Sequence, residues 1–322
     1  MASFRVRLFG KFNALREDRE LDCFPSAKAK ELFCYLLLHR DRPHPRETLV
    51  TLFWGELNPD QTRKYMRQTL WQLQHALHEL SGQDSPVVVH ADKGSVRLTS
   101  ANDHWLDVSE FEQAAGPVKG MAGEQMDPAC AAAVRHAVSL YEGNLLEGWY
   151  QDWCLYHRER LENAYLSMLD KLMAYCELHE EYEMGLSYGE RLLLQDRARE
   201  RTYCRLMRLR YFAGDRVGAL REFQRCQVAL QEELDVAPAK QTVELHKQIC
   251  ADLLSKQSSS PGERAVPFTA AREDGAPGGS LFRGLHRLRS VLMKIQRRVE
   301  LDIEEVNSIL ETQHRSSPHE KN

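Results

Sequence analysis

The 322-residue sequence has no long apolar run. None approaches the roughly 18 residues that carry a helix across a bilayer, so no membrane partner is expected. The opening MASFRVRLFGKF is broken by charge too often to read as a secretory leader. Eight cysteines are scattered, with no C-x-x-C pair and no Cys/His set at zinc spacing. They read as thiols of a reducing cytoplasm, and no metal is expected. Also missing are the phosphate loop G-x-x-x-x-G-K-S/T, the nucleophile elbow G-x-S-x-G, the zinc-protease H-E-x-x-H and the dinucleotide turn G-x-G-x-x-G. Thirteen histidines are dispersed, and acidic pairs such as Glu180–Glu181 and Glu232–Glu233 sit on helix ends and faces, where they serve solubility. Neither an enzyme nor a cofactor is expected.

What the sequence does hold is ordinary for a globular chain: 28% charged and 43% apolar residues, with length for two or so domains. The charge is unevenly placed. Residues 1–100 hold 15 Lys/Arg against 12 Asp/Glu, a balance of +3, and the remaining 222 hold 28 against 35, a balance of −7. A mildly basic head on an acidic remainder suits nucleic-acid binding at one end.

Within that head, Asp60–Leu80 reads as the organising helix. Met66, Leu70, Leu73 and Leu77 recur at steps of four, three and four, one apolar face of an α-helix. The opposite face carries Arg63, Lys64, Arg67, Gln68, Trp71 and Gln74, with no carboxylate before Glu79. Such a face can enter a DNA major groove; the plainer reading is a solvated surface helix.

The flanks favour the groove. Residues 3–9 alternate as a half-buried strand, Gly10 breaks it, and short strands near Phe12 and Glu20–Cys23 follow. Ser26 can cap a helix over Ala27–His39, and Pro43 and Pro45 end the connection. A second helix begins near Arg46 and turns at Gly55, Asn58 and Pro59. After the organising helix, Val87–His90 and Ser95–Thr99 flank Ala91-Asp92-Lys93-Gly94, a hairpin signal. Strands, three helices and a hairpin are the order of a winged helix-turn-helix. In that arrangement Thr62, Arg63, Arg67, Gln68 and Trp71 would face bases, while Lys64 and the wing residues Lys93 and Arg97 would hold phosphates.

PSAKAKELFCYLLLH, LFWG at Leu52–Gly55, and LWQLQHAL followed by a hairpin together resemble the OmpR-like DNA-binding domain of the SARP family of bacterial regulators. Gln74 stands where that family often has Arg, and Ser95 follows the wing glycine where an aromatic is usual. WLDVSEFEQ at Trp105–Gln113 is similar to the same family, in which an Asp and a following Phe, here Asp107 and Phe111, open the second domain.

Residues 114–128 read as a Gly/Ala/Pro-rich loop, and helices follow over Ala129–Tyr141, Asp152–His179, Glu181–Leu194, Ala198–Ala213, Asp215–Leu234 and Pro238–Leu254. HEEYEMGLSYGERLLL aligns with AGDRVGALREFQRCQV at an offset of 34, with Gly185 over Ala219 and Leu186 over Leu220. That is the period of tetratricopeptide (TPR) repeats, helix pairs that stack to bury their apolar faces. Trp149, Tyr150 and Trp153 form an aromatic cluster that fits the lining of a repeat groove or, the plainer reading, an inter-domain core. ELDVAP at Glu233–Pro238 and the ELHKQI helix after it are similar to the bacterial transcriptional activator domain (BTAD).

Residues 256–280 read as a Ser/Pro/Gly-rich linker and 281–314 as a helix whose heptad seam runs over Leu281–Ile309. That seam fits a homodimer or a helix folded back on the repeats; 315–322 reads as a disordered tail. The expected architecture is therefore mainly α. An N-terminal α+β winged helix-turn-helix (1–102) precedes an α-helical TPR-like repeat domain (103–255), with a C-terminal heptad helix. The resemblance implies a sequence-specific, double-stranded-DNA-binding activator that binds promoter direct repeats and contacts RNA polymerase. The alternative is a protein-interaction adaptor whose winged helix reads no DNA.

Overall fold

The computed structural model describes residues 4–255, apart from 17–18, 21–23, 41, 56–57, 82–86, 93 and 101–103. The linker, the heptad seam of Leu281–Ile309 and the tail lie outside the described residues. The described part is mainly helical, with a small α+β region at its N-terminal end.

Strand β1 (Phe4–Arg7) buries Phe4 and Val6 and exposes Arg7, the alternation its sequence requires. Gly10, at φ +80°, takes the left-handed turn that ends the run. Strand β2 (Asn13–Arg16) pairs antiparallel with β1, and the two-residue β3 (Arg19–Glu20) pairs with β2, slightly before its expected place. Helix α1 (Ala27–Leu38) starts at its predicted cap, where Ser26 Oγ accepts from the Ala29 amide at 3.2 Å. Its apolar residues from Leu32 to Leu38 are all buried. Strand β4 (His44–Pro45), helix α2 (Arg46–Trp54) and helix α3 (Pro59–Ser81) follow, then strands β5 (Val87–Ala91) and β6 (Ser95–Ser100).

Two strands have no signal in the sequence. The first, β4, pairs with β6 and gives the wing a third strand; two residues around a proline are too few to show a period. The second is β7 (His104–Leu106), which lies parallel to β1 and completes a sheet of order β3-β2-β1-β7. Parallel pairing across a hundred residues has no local signature. It brings residues assigned to the second domain back to the head. Helix α4 (Asp107–Val118) begins immediately after. The Asp107 carboxylate stitches the junction: Oδ2 accepts from the Leu8 and Phe9 amides at 2.7 and 2.8 Å, and Oδ1 from Val108 at 2.7 Å.

One expectation is corrected. Residues 114–128 are not a continuous loop, because α4 runs on to Val118 with Pro117 in its last turn, and a 3-10 turn covers Gly123–Gln125. Buried Val118 extends the apolar face begun by Val108 and Phe111, and that burial outweighs the Gly and Pro.

Helices α5 (Pro128–Leu140), α6 (Asp152–Leu178), α7 (Tyr182–Gln195), α8 (Glu200–Phe212), α9 (Arg216–Leu234) and α10 (Lys240–Cys250) each pack against the next. The small residues that mark the repeat sit at close approaches. A Cβ at Gly185 would lie 2.9 Å from Leu209 Cδ1 and 3.2 Å from Cys176 Cβ, while Ala219, its counterpart in α9, is fully buried. The ELDVAP stretch has a local cause too. Asp235 ends α9 in the left-handed region at φ 56°, so that its amide reaches Gln231 O and the Val236 amide reaches Leu230 O.

Head and helices share one core. Trp153 in α6 donates through Nε1 to Glu31 Oε1 at 3.4 Å and meets Tyr35 edge-on at 5.5 Å. Trp149 packs beside it, whereas Tyr150 is exposed. At the same junction His39 Nε2 lies 3.1 Å from His157 Nε2. One ring must accept while the other donates, so both cannot carry two protons at once. Burial holds His39 down to about 4, with His157, Arg42, His44 and Arg160 adding repulsion. Burial likewise lowers His157, where Arg160 and Arg42 oppose the proton and Glu112 favours it.

A histidine depressed in the folded state takes its proton first in the unfolded chain. Its contribution to stability is intact above the ordinary value of 6.5 and is lost as pH falls from there to about 4. The thermal midpoint of the chain should therefore drop between about pH 6.5 and about pH 4. Burial lifts Asp107 to about 6, which acts in the opposite sense and is common to wild type and variant. His39→Gln is expected to flatten the drop; equal slopes in the two proteins would remove this junction as its cause.

Candidate nucleic-acid interface

Helix α3 is two-sided as its period demands. Met66, Leu70, Leu73 and Leu77 are at most 3% exposed and rest on α1, α2 and the wing. Two amides brace the helix from its flanks. Ser26 Oγ donates to Gln72 Oε1 at 2.9 Å, which ties the start of α1 to α3. Gln74 Nε2 donates to the Val89 carbonyl at 2.9 Å, which ties the wing to α3. Gln74 is thus committed to the protein, which accounts for an amide at a position on the polar face.

Arg63, Lys64, Arg67, Gln68 and Trp71 all lie exposed on the outer side. Trp71 is 63% exposed and meets His75 edge-on at 5.1 Å. A ring this open to water can stack or pack on a ligand. Arg67 Nε donates weakly to the Arg63 carbonyl at 3.4 Å, which leaves the rest of its guanidinium outward. Among the described residues no carboxylate pairs with Arg63, Lys64, Arg67 or Arg97, so the face keeps its positive charge. Arg97 projects from β6, exposed and opposite His90 in the hairpin register.

Thr62 is a correction. It is 3% exposed, on the inner side between the turn at Asn58 and Met66, and cannot reach a base edge. Its hydroxyl suits a reader, but four residues before Met66 places it on the buried stripe. Lys93 lies outside the described residues. Tyr65, 43% exposed, joins the face without having been expected there; it stands three residues before Gln68, a spacing visible in the sequence.

No three His, Cys, Asp or Glu side chains are placed to hold a metal among the described residues. No helix among them is long and apolar enough to cross a membrane.

With this geometry in place, residues 106–250 match the family model of the bacterial transcriptional activator domain. That segment is similar to a bacterial transcriptional activator domain. A winged helix stands ahead of the matched segment, the order that the resemblance to SARP-type regulators implies. The BTAD begins inside β7, so the strand that closes the head's sheet and the Asp107 staple belong to its first residues. Among solved structures the chain is similar to Mycobacterium tuberculosis EmbR, determined in complex with a low-affinity phosphopeptide, with a TM-score of 0.59 and 18% identity. That likeness covers 79% of this chain and 66% of the EmbR chain, just under two thirds of its length, and at this identity it establishes the fold. No curated protein matches the chain.

Proposed function

We propose that this SARP-type chain is a sequence-specific DNA-binding activator. In this reading α3 lies in the major groove while the wing follows the phosphate backbone. The supporting observation is the exposed, carboxylate-free face of Arg63, Lys64, Arg67, Gln68 and Trp71, set opposite a fully buried stripe. From Arg63 to Trp71 the helix rises about 12 Å, so the face spans several base pairs. Arg67 is the base reader, able to hold guanine O6 and N7 with two donors, and Gln68 can hold adenine N6 and N7. Lys64, Lys93 and Arg97 are the phosphate contacts. The target is a pair of promoter direct repeats, and the BTAD contacts RNA polymerase in the cytoplasm. The segment Leu281–Ile309 joins two copies.

Arg67→Ala is expected to weaken binding to the preferred sequence by roughly 1–3 kcal/mol and to relax selectivity at one base pair. Arg97→Ala is expected to weaken all duplexes alike and to lower the slope of log affinity against log salt by about 0.9. Gel shifts over a salt series on matched and mutated sites separate the two. An Arg67→Ala protein with unchanged selectivity removes Arg67 from the readers.

A further inference from the structure

Helices α7 and α9, equivalent in the 34-residue repeat, flank an open groove of about 890 Å³ that the DNA reading does not use. Its apolar floor comes from matched positions. Leu194 in α7 and Val228 in α9 are 34 residues apart, and they stand 82% and 52% exposed, with Leu193 beside them. Its rim is cationic. Arg197, Arg221 and Arg225 line it against a single carboxylate, Glu190. Arg197 holds Glu232 at 3.1 Å and Glu233 at 3.6 Å, and Arg225 holds Glu222 at 3.0 Å. Arg221 has no ion pair among the described residues. Arg197, Glu232 and Glu233 are each about half exposed, and pairs so open to solvent contribute about 0–1 kcal/mol, so an incoming carboxylate can replace such a partner at little cost. Arg225 meets buried Glu222 through Nη1, and its side chain is still half exposed.

We propose that this groove binds a short acidic peptide segment of a partner protein, anchored by a leucine-sized side chain. The anchor covers Leu193, Leu194 and Val228, removing aliphatic surface from water. Flanking carboxylates meet Arg221 and Arg225, whose guanidinium forks bind a carboxylate in two-point fashion. Charge complementarity selects the occupant: a neutral apolar peptide leaves Arg221 without a carboxylate, and an acidic peptide without an anchor leaves the floor wet. The volume suits a few residues, not a folded domain. The inference goes beyond DNA reading, since nothing in the groove belongs to α3 or the wing.

The test is fluorescence anisotropy of the full chain with a labelled peptide alternating Asp/Glu with Leu. Two control peptides replace Leu by Ser or Asp/Glu by Lys. The wild type is expected to bind the acidic leucine peptide and neither control. Arg221→Glu and Leu194→Ser, both at exposed positions, are each expected to weaken binding about tenfold or more, with far-ultraviolet circular dichroism and duplex binding unchanged. No binding by the wild type, equal binding of the serine control, or unchanged binding by Arg221→Glu overturns the proposal. So does displacement of the peptide by a random DNA duplex, which would make the groove a second phosphate-binding surface. Weakened, less selective DNA binding in Arg67→Ala with peptide binding intact keeps the two proposals apart.

Discussion

Asp107→Ala is expected to be the most damaging single substitution in the described chain. The carboxylate is 2% exposed and takes three amide hydrogens, from Leu8, Phe9 and Val108. Removing it strands three donors at the place where β1 leads toward the helices and α4 begins. A buried donor left unmade costs roughly 1–3 kcal/mol, so the sum is roughly 3 kcal/mol or more, a large fraction of the total stability of a domain. Burial and these bonds oppose each other at this site. Burial lifts the carboxyl to about 6, and the three amides pull it back. Asp107→Asn separates the two effects. Its remaining oxygen can still accept from Leu8 and Phe9, so the loss should be intermediate. Urea unfolding followed by circular dichroism measures both. An Asp107→Ala protein within about 0.5 kcal/mol of wild type would show that the head and the BTAD are not joined through this residue.

The second large effect concerns the duplex. The triple substitution Arg63→Ala, Lys64→Ala and Arg67→Ala removes three cations from one exposed helix face, none of them paired with a carboxylate among the described residues. Each cation that no longer meets a phosphate lowers the salt slope by about 0.9. If all three meet DNA, the slope falls by nearly three and selective binding disappears. The buried stripe of α3 is untouched and Ala is a strong helix former, so folding should survive. A triple variant that keeps both slope and selectivity would leave α3 as a structural helix.

Why some of these residues can be found without coordinates, and others cannot, follows from the range of the interactions. Ser26 as a cap, the stripe Met66-Leu70-Leu73-Leu77 and the hairpin at Asp92–Gly94 all act within a few residues, so the sequence displays them. The 34-residue repeat is likewise visible, because Gly185 and Ala219 must both be small where neighbouring helices approach. Long-range features leave no such trace. Neither the parallel pairing of Phe4–Val6 with His104–Leu106 nor the bond from Gln74 to Val89 has a periodic signature. Thr62 shows a different limit. Its hydroxyl argues for the polar face, yet helical phase puts it one turn before buried Met66, and phase decides. The groove between α7 and α9 depends on exposure of Leu194 and Val228, which in sequence look like ordinary core positions.

The most direct measurement is selection of bound duplexes from a random-sequence pool by the full-length chain at physiological salt. A protein that inserts α3 enriches one recurrent site, arranged as direct repeats, and the Arg63/Lys64/Arg67 alanine variant enriches none. A pool that emerges unselected from the wild-type chain, or one enriched equally by the variant, would contradict DNA reading by this helix.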